Sequence, residues 1–379
     1  MPLIDLYDEL LFCLQSREDI LLATIIAASG STPLPAGARI LVGARAERTS
    51  GTVGGGLFEA TVIAEGREFL LRGQGSLIRR YDLDQDATGG GMICGGSAEV
   101  LFEILTPADE GLFRRLHTRH SAGEASSVLR FLDSSKNVTG RAVVGAQGSD
   151  ATPDENIDGL LGQIGMTADR LLEHLQLAEH TQTVTRAAAP RGEIVIEPVP
   201  GIQQLLVFGG GHVARCVSSV AATAGFAVTV VDDRAEFATR ARFPNARQAL
   251  AIPFQEAFLR IAIGPSTSIV IMTRGHLMDR QILELAVRTP ARYIGMIGSA
   301  KKVASTFAGL RESGTPVELL KRVHAPIGLD IGAVTAEEIA VSIVAELIRS
   351  RRAVDTPPAP LSWKMKSWFD DGEMRGRKR

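Results

Sequence analysis

The amino-acid sequence predicts an α/β protein: a first domain of mixed helices and strands over residues 1–190, a linker at 191–200, a doubly wound parallel-sheet domain at 201–352 and a tail at 353–379. Three observations carry this expectation. At 379 residues the chain exceeds one typical domain. From Gln203 onward, apolar strand, glycine turn and helix alternate, which argues for a parallel sheet with helices on both faces. Between the halves, Ala187–Pro200 contains Pro190, Pro198 and Pro200, a composition suited to a domain boundary.

In the first domain, Leu6, Leu10, Phe12, Cys13 and Leu14 recur at helical spacing over Asp5–Ser16. Ile20–Ala28 then runs as a strand into the turn Gly30-Ser31-Thr32-Pro33. Ala38–Val42 reads as a second strand, and Gly51-Thr52-Val53-Gly54-Gly55-Gly56 leads into a helix over Leu57–Leu71. Strands at Leu77–Leu83 and Ala98–Leu105, a helix at Leu112–His120, and short strands at Val128–Leu132 and Ala142–Val144 follow. Order thins across Gln147–Asp158, which is rich in Gly, Asp and Pro. In the second domain, strands are expected near Leu205–Phe208, Ala227–Val231, Ser268–Met272 and Tyr293–Ile297.

Composition excludes several functions. With 45% hydrophobic and 22% charged residues the chain reads as globular, and 5% aromatic content is low for a base-stacking surface. A formal charge of −2, from 41 basic and 43 acidic residues, gives no whole-chain attraction to nucleic acid or an anionic membrane. The opening MPLIDLYDELLF lacks a basic region before an apolar run, and Ile20–Ala28 is too short to span a bilayer, so a cytoplasmic protein without membrane association is expected. Cys13, Cys94 and Cys216 lack the pairing of a zinc knuckle or disulfide framework. Cys13 among leucines, and Cys216 beside Val213, Val217 and Val220, are expected in the core. His117, His120, His174 and His180 have no partners at metal spacing, so surface positions and no zinc site are expected.

The clearest motif is QQLLVFGGGHVARCVSSVAATAGFAVTVVDDR, Gln203–Arg234. An apolar strand enters Gly209-x-Gly211-x-x-Ala214, a helix ends at Gly225, and a second strand ends at Asp232. This is the register of a Rossmann-type dinucleotide fingerprint. Gly209 permits the turn, Gly211 lets a phosphate approach the backbone, and Ala214 lets helix and strand pack closely, while the helix start offers unpaired N–H groups. Asp232 or Asp233 is expected to accept from ribose hydroxyls.

Polar groups also gather where later strands end, the ligand edge of an open α/β sheet. Thr273-Arg274-Gly275-His276 with Asp279 follows one strand, and Gly298-Ser299 with Lys301 and Lys302 follows the next. The helix start at Ser299 suits phosphate, whereas the lysines read as a solvated helix face. Thr335 with Glu338 fits a capping box. His324, before Ala325-Pro326 in a glycine-rich loop, is open to either a structural hydrogen bond or a ligand.

Back in the first domain, GGGMICGGSAEVLFE (Gly89–Glu103) sets Cys94 in a loop almost bare of side chains, an arrangement that exposes sulfur and main chain, with a buried structural thiol beside the strand at Ala98, Val100 and Phe102 as the alternative. Together with GSTPLPAGARILV, GTVGGGLFE, FGGGHVA, VVDDR, TRGHLMD, YIGMIGSAKK and HAPIGLDIGAVTAEEIAVSIVAELI, it makes the chain resemble the XdhC/CoxI family, accessory proteins that mature molybdenum hydroxylases. The resemblance covers nearly the whole chain. It implies binding and protection of the molybdenum cofactor, as molybdopterin or its dinucleotide form, with insertion into a hydroxylase client and little catalysis of its own. It also implies association with a cysteine desulfurase that adds a sulfido ligand, and it leaves a homodimer open. Hydride transfer with NAD(P) bound at the glycine turn is the alternative.

The residues expected to hold cofactor are Gly54, Gly55, Gly56, Glu59, Cys94, Gly95 and Gly96 in the first domain. In the second they are Gly209, Gly210, Gly211, His212, Asp232, Asp233, Arg234, His276, Asp279, Gly298, Ser299 and His324, with no catalytic residue and no metal ligand. Two positions depart from the family pattern: Leu34 stands where a basic residue is usual, and Leu57 where a cysteine is frequent.

Overall fold

The computed structural model describes residues 3–30, 32–44, 49–73, 75–83, 96–145 and 156–352. The chain divides into two units, one of residues 1–205 with short segments 225–227 and 262–267, the other holding the rest.

The first unit runs α1 (Leu3–Gln15), β1 (Ile20–Gly30), β2 (Arg39–Val42), β3 (Thr49–Thr52), α2 (Gly56–Leu71), β4 (Ser76–Asp82), β5 (Gly96–Leu105), α3 (Glu110–Ser121), β6 (Ser126–Asp133), β7 (Val138–Gly145), α4 (Ile157–Ile164), α5 (Ala168–Thr181), β8 (Thr185–Ala189) and β9 (Gly192–Val199). Two antiparallel sheets result, in the orders β3-β2-β1-β5-β4 and β7-β6-β9-β8. β1 is central in the first and apolar on both faces. Side chains alternate along a strand, so Leu21, Ala23 and Ile25 join Phe58 and Val62 of α2 in one core. Ile20 and Leu22 point the other way, into a core with Leu10 and Leu14 of α1 and Phe113 and Leu116 of α3. The second sheet closes over α4 and α5 through Leu161, Leu171 and Leu175.

Where the two sheets face each other the sequence places charge. Arg130 of β6 is 1% exposed and reaches Glu103 of β5 at 2.5 Å and Glu197 of β9 at 2.7 Å. Arg141 adds Glu103 at 2.8 Å and Asp109 at 3.1 Å, and Arg39 pairs with Glu197 while donating to the Tyr7 hydroxyl at 2.6 Å. Burial works to raise the Glu103 pKa, but Arg130 and Arg141 outweigh it and hold the carboxyl below its ordinary range. Burial also pushes the Tyr7 hydroxyl up to about 12.

The expected linker at 191–200 is instead β9, paired along its length with β6 and partly with β8. Pro198 is tolerated because β8 begins only at Thr185, opposite Ile196, so no neighbour on that side needs its missing N–H. His120, expected at the surface, is buried with Nδ1 2.7 Å from the Pro200 carbonyl oxygen.

The second unit runs β10 (Gln203–Phe208), α6 (His212–Thr223), β11 (Phe226–Asp232), β12 (Gln248–Ala251), α7 (Phe254–Arg260), β13 (Thr267–Ile271), α8 (His276–Ala286), β14 (Tyr293–Met296), α9 (Ala300–Glu312), α10 (Val317–Leu320), β15 (Val323–His324) and α11 (Ala336–Arg351). Its sheet order, β12-β11-β10-β13-β14-β15, is the doubly wound order that reverses direction between β10 and β13. The β11–β12, β13–β14 and β14–β15 pairs are parallel. Buried runs such as Val228, Val230 and Val231 explain the sheet's two covered faces. Among the described residues no helix is long and apolar enough to cross a membrane.

Candidate functional site

In the first unit three of the sequence motifs meet at one end of the β1 sheet. Gly30, which ends β1, is in register with Gly96, which opens β5, and Arg39 at the start of β2 is in register with Thr52 at the end of β3. The GSTP turn, the GTVGGG loop and the Gly96 start of β5 therefore share an edge. Gly54 lies so close to the turn that a Cβ would stand 2.5 Å from Pro33 Cβ.

The glycine loop is held by Glu59, one turn into α2. Its carboxylate accepts from the Val53 N–H at 3.0 Å, the Gly55 N–H at 3.2 Å and the Thr52 hydroxyl at 2.5 Å. Burial works against the charge, yet these hydrogen bonds together keep the Glu59 carboxyl below its ordinary range. Gly54, Gly55 and Gly56 sit at φ 133°, 76° and 64°, a run that L side chains rarely follow. Gly55 caps α2 without a side-chain hydrogen bond and has open space where a Cβ would be. The edge thus presents backbone and the unpaired N–H groups of a helix start. Exposed Leu57 stands beside them. Cys94 and Gly95 lie outside the described residues.

Removing the Glu59 acceptor, as in Glu59→Ala, is expected to lower the first unit's stability by about 1–3 kcal/mol, read as the urea midpoint. Because the folded carboxyl titrates below its unfolded value, its contribution is full above pH of about 4.3 and fades as pH falls through the folded pKa. The wild type should therefore lose more stability on acidification than the variant.

In the second unit, Gly209 turns the chain at φ 108°, and a Cβ there would stand 2.5 Å from the Met272 carbonyl oxygen, at the point where the sheet order reverses. Gly210 is packed on the Phe237 backbone, whereas Gly211 faces open space at the start of α6. Ala214 is buried, as the close helix–strand approach requires. Asp232 takes a different part from the one expected. Its two oxygens accept from the Gly210 N–H at 2.7 Å and from Arg234 at 2.9, 3.0 and 3.1 Å. Burial raises its pKa, and the Arg234 and Gly210 hydrogen bonds more than reverse that. Both oxygens are engaged inside the protein, so Asp233, which is exposed, is the carboxylate turned to solvent. Arg234 in turn lies 3.5 Å over the Phe237 ring, and Arg242 donates to the Gly210 carbonyl at 3.1 Å.

Asp279 is likewise engaged. It accepts from the Thr273 N–H at 3.1 Å and hydroxyl at 2.6 Å and pairs with Lys302, so it ties the loop after β13 to the start of α9. Lys302 is therefore no solvated lysine, with its side chain only 15% exposed. Ser299 caps α9 by accepting the Lys302 N–H at 3.3 Å, and Gly298 lies under the Lys302 stem. His276 opens α8, and its side chain is outside the described residues. His324 stacks on Tyr293, ring centroids 4.4 Å apart, with Nδ1 3.2 Å from Glu346. The structural reading of His324 gains the clearer support.

Cys216 is not in the core. It is half-buried, and its thiol faces Glu337 Oε1 at 3.7 Å, close to His212. Its spacing of four from His212 was legible in the sequence; Glu337 was not, because only the packing of α11 along α6 brings it there.

Two family models match, the XdhC and CoxI family over residues 13–82 and the XdhC Rossmann domain over residues 205–347. The chain belongs to the XdhC/CoxI family. As an XdhC/CoxI member it is 29% identical over 347 residues to a Bacillus subtilis protein described as a probable subunit of xanthine dehydrogenase, covering 90% of this chain and 96% of that one. It is 23% identical over 338 residues to the molybdenum cofactor insertion chaperone PaoD of Escherichia coli, covering 89% and 85%. A crystal structure of a xanthine dehydrogenase from Bacillus halodurans superposes with a TM-score of 0.72 at 23% identity, covering 94% of this chain and 99% of that one, and shows the same fold. The first XdhC/CoxI match contains the GSTP turn and the GTVGGG loop; the second contains the whole β10-to-β15 sheet from Leu205.

Proposed function

We propose that this chain binds the molybdenum cofactor, shields it, and passes it to a xanthine dehydrogenase-type hydroxylase. The observation that carries the reading is the gathering of the GSTP turn, the Glu59-braced glycine loop and Gly96 at one sheet edge. That edge offers main chain and a helix start rather than an acid–base set, and binding followed by release needs no more. Kinship with PaoD, named a molybdenum cofactor insertion chaperone, supports the same reading. The residues fit the cargo: the open space at Gly55 and the uncapped start of α2 suit a phosphate, and neighbouring backbone suits the edges of a pterin. The cofactor itself carries the redox chemistry, which belongs to the client.

Cys94 stands two positions before Gly96 in the sequence, and we assign it a contact to the metal or its sulfur, with a cysteine desulfurase as the partner that supplies sulfur. In the second unit, Gly211 and the start of α6 are the place for a phosphate, with Asp233 the available ribose acceptor if the cofactor is in dinucleotide form.

The test is anaerobic purification from a molybdenum-replete host, with molybdenum and pterin quantified, followed by activation of cofactor-free client. Wild type should carry both and activate the client. Cys94→Ser should stay folded by circular dichroism and retain at least about tenfold less cofactor, the scale of one lost polar contact to a charged group. A chain that carries no pterin and leaves client activation unchanged overturns the reading. Robust NADH or NADPH turnover favours the oxidoreductase instead.

A further inference from the structure

α6 carries His212 at its first position and Cys216 four residues later, so both side chains project from one helical face. α11 packs along α6, and the way α11 begins decides what it presents. Thr335 and Glu338 form a reciprocal cap: the Thr335 hydroxyl accepts the Glu338 N–H at 3.2 Å, and Glu338 Oε2 accepts the N–H groups of Val334 and Thr335 at 2.7 and 2.9 Å. Of the two glutamates in that first turn, Glu338 is consumed by the cap and Glu337 reaches α6. Its Oε1 is 3.7 Å from Cys216 Sγ and 3.9 Å from His212 Nε2, and all three donor atoms lie within 4.8 Å of one another.

We propose that His212, Cys216 and Glu337 form a binding site for a divalent zinc ion, with water as the fourth ligand. One imidazole nitrogen, one thiolate and one carboxylate are a donor set that zinc takes, and three protein ligands with an open position is a recurrent arrangement. Zinc bond lengths require tetrahedral donor atoms to stand roughly 3.4–3.6 Å apart. Two of the observed separations exceed this by a few tenths of an ångström, and the third, between His212 and Cys216, lies within 4.8 Å. The His212 and Glu337 side chains are 62% and 70% exposed, so they can rotate inward without disturbing the core. Cys216 also lines a cleft of about 320 Å³ with Arg215, Ser219 and Arg242, which keeps its sulfur reachable. Two helix starts and Arg215 oppose positive charge here, but a thiolate and a carboxylate together neutralise a divalent ion. On binding, the Cys216 S–H gives its proton to solvent, and the sulfur lone pair forms the metal bond. The site lies wholly in the second unit and shares the start of α6 with the phosphate placed at Gly211, so zinc binding is read on cofactor-free protein.

Metal-free full-length protein should bind one zinc per chain in competition with a chromophoric chelator. Cobalt in its place should give a thiolate-to-metal charge-transfer band. Cys216→Ser should abolish that band, and Cys216→Ser, His212→Ala and Glu337→Gln should each weaken zinc by at least about tenfold, since even indirect partners of a metal ligand cost about 10–100-fold. Cys94→Ser should leave stoichiometry and band unchanged. Absence of stoichiometric zinc overturns the proposal. So does a band that survives Cys216→Ser and disappears in Cys94→Ser or Cys13→Ser.

Discussion

Arg130→Ala is expected to destabilise the first unit by about 3–5 kcal/mol, read from urea unfolding of the full chain. The reason lies in what the arginine leaves behind. Glu103 and Glu197 are 0% and 1% exposed, and both depend on the Arg130 guanidinium, at 2.5 and 2.7 Å. An uncompensated buried carboxylate must either protonate or draw in water, and both cost stability. Adding Glu103→Gln and Glu197→Gln to Arg130→Met should recover only part of the loss, because Arg39 then stays buried without the carboxylate it pairs with. Acid reports the same physics. The Glu103 pKa is depressed in the fold, so its contribution is complete above pH of about 4.3 and is lost as pH falls through the folded value. Arg130→Ala should flatten that dependence. A loss below about 1 kcal/mol would mean that Arg141 and Arg39 alone satisfy the two carboxylates.

That network also marks where sequence reading stops. Periodicity makes β1, α2 and the β10–α6–β11 fingerprint legible, because each buries one pattern of apolar residues. It is silent about charges that only tertiary packing brings together: Arg39, Glu103, Arg130 and Glu197 come from four strands of two sheets. β9 was hidden by its prolines, and α5 by the loop-like stretch ahead of it, although Leu171, Leu175 and Ala178 keep a helical spacing.

The candidate site divides the same way. Glycines announce a turn or a close approach by their own nature, so Gly54–Gly56 and Gly209–Gly211 stand where expected. Carboxylates announce only their position. Asp232 and Asp279 sit at the ligand edge of the sheet, yet Gly210, Arg234, Thr273 and Lys302 reach them first. Cys216 has apolar neighbours in sequence, but the buried stripe of α6 is Ala214, Val217, Ser218 and Ala221, and a 3.6-residue turn places Cys216 off it.

The three glycines of the second turn should therefore respond differently to the same added methyl. Gly209→Ala is expected to lower the stability of the second unit by about 2–5 kcal/mol, combining overpacking of about 1–3 kcal/mol with about 1–2 kcal/mol for a left-handed backbone. Its Cβ would stand 2.5 Å from the Met272 carbonyl oxygen at φ 108°, and neither the backbone of β13 nor the turn can yield cheaply. Gly210→Ala meets only the steric part, a carbonyl oxygen of Phe237 at 2.3 Å, but shifting Gly210 also strains the N–H that Asp232 accepts, so about 1–3 kcal/mol is expected. Gly211→Ala should change stability by no more than about 0.5 kcal/mol: φ is −68°, and no atom lies within 4 Å of the new Cβ. The empty space at Gly211 is thus a feature that folding does not require. If a phosphate occupies it, Gly211→Val will leave the urea midpoint nearly unchanged and weaken the bound ligand, whereas Gly209→Ala will lose both together. A Gly211→Val protein that is stable and retains its phosphate-bearing ligand at full affinity would place that ligand away from α6.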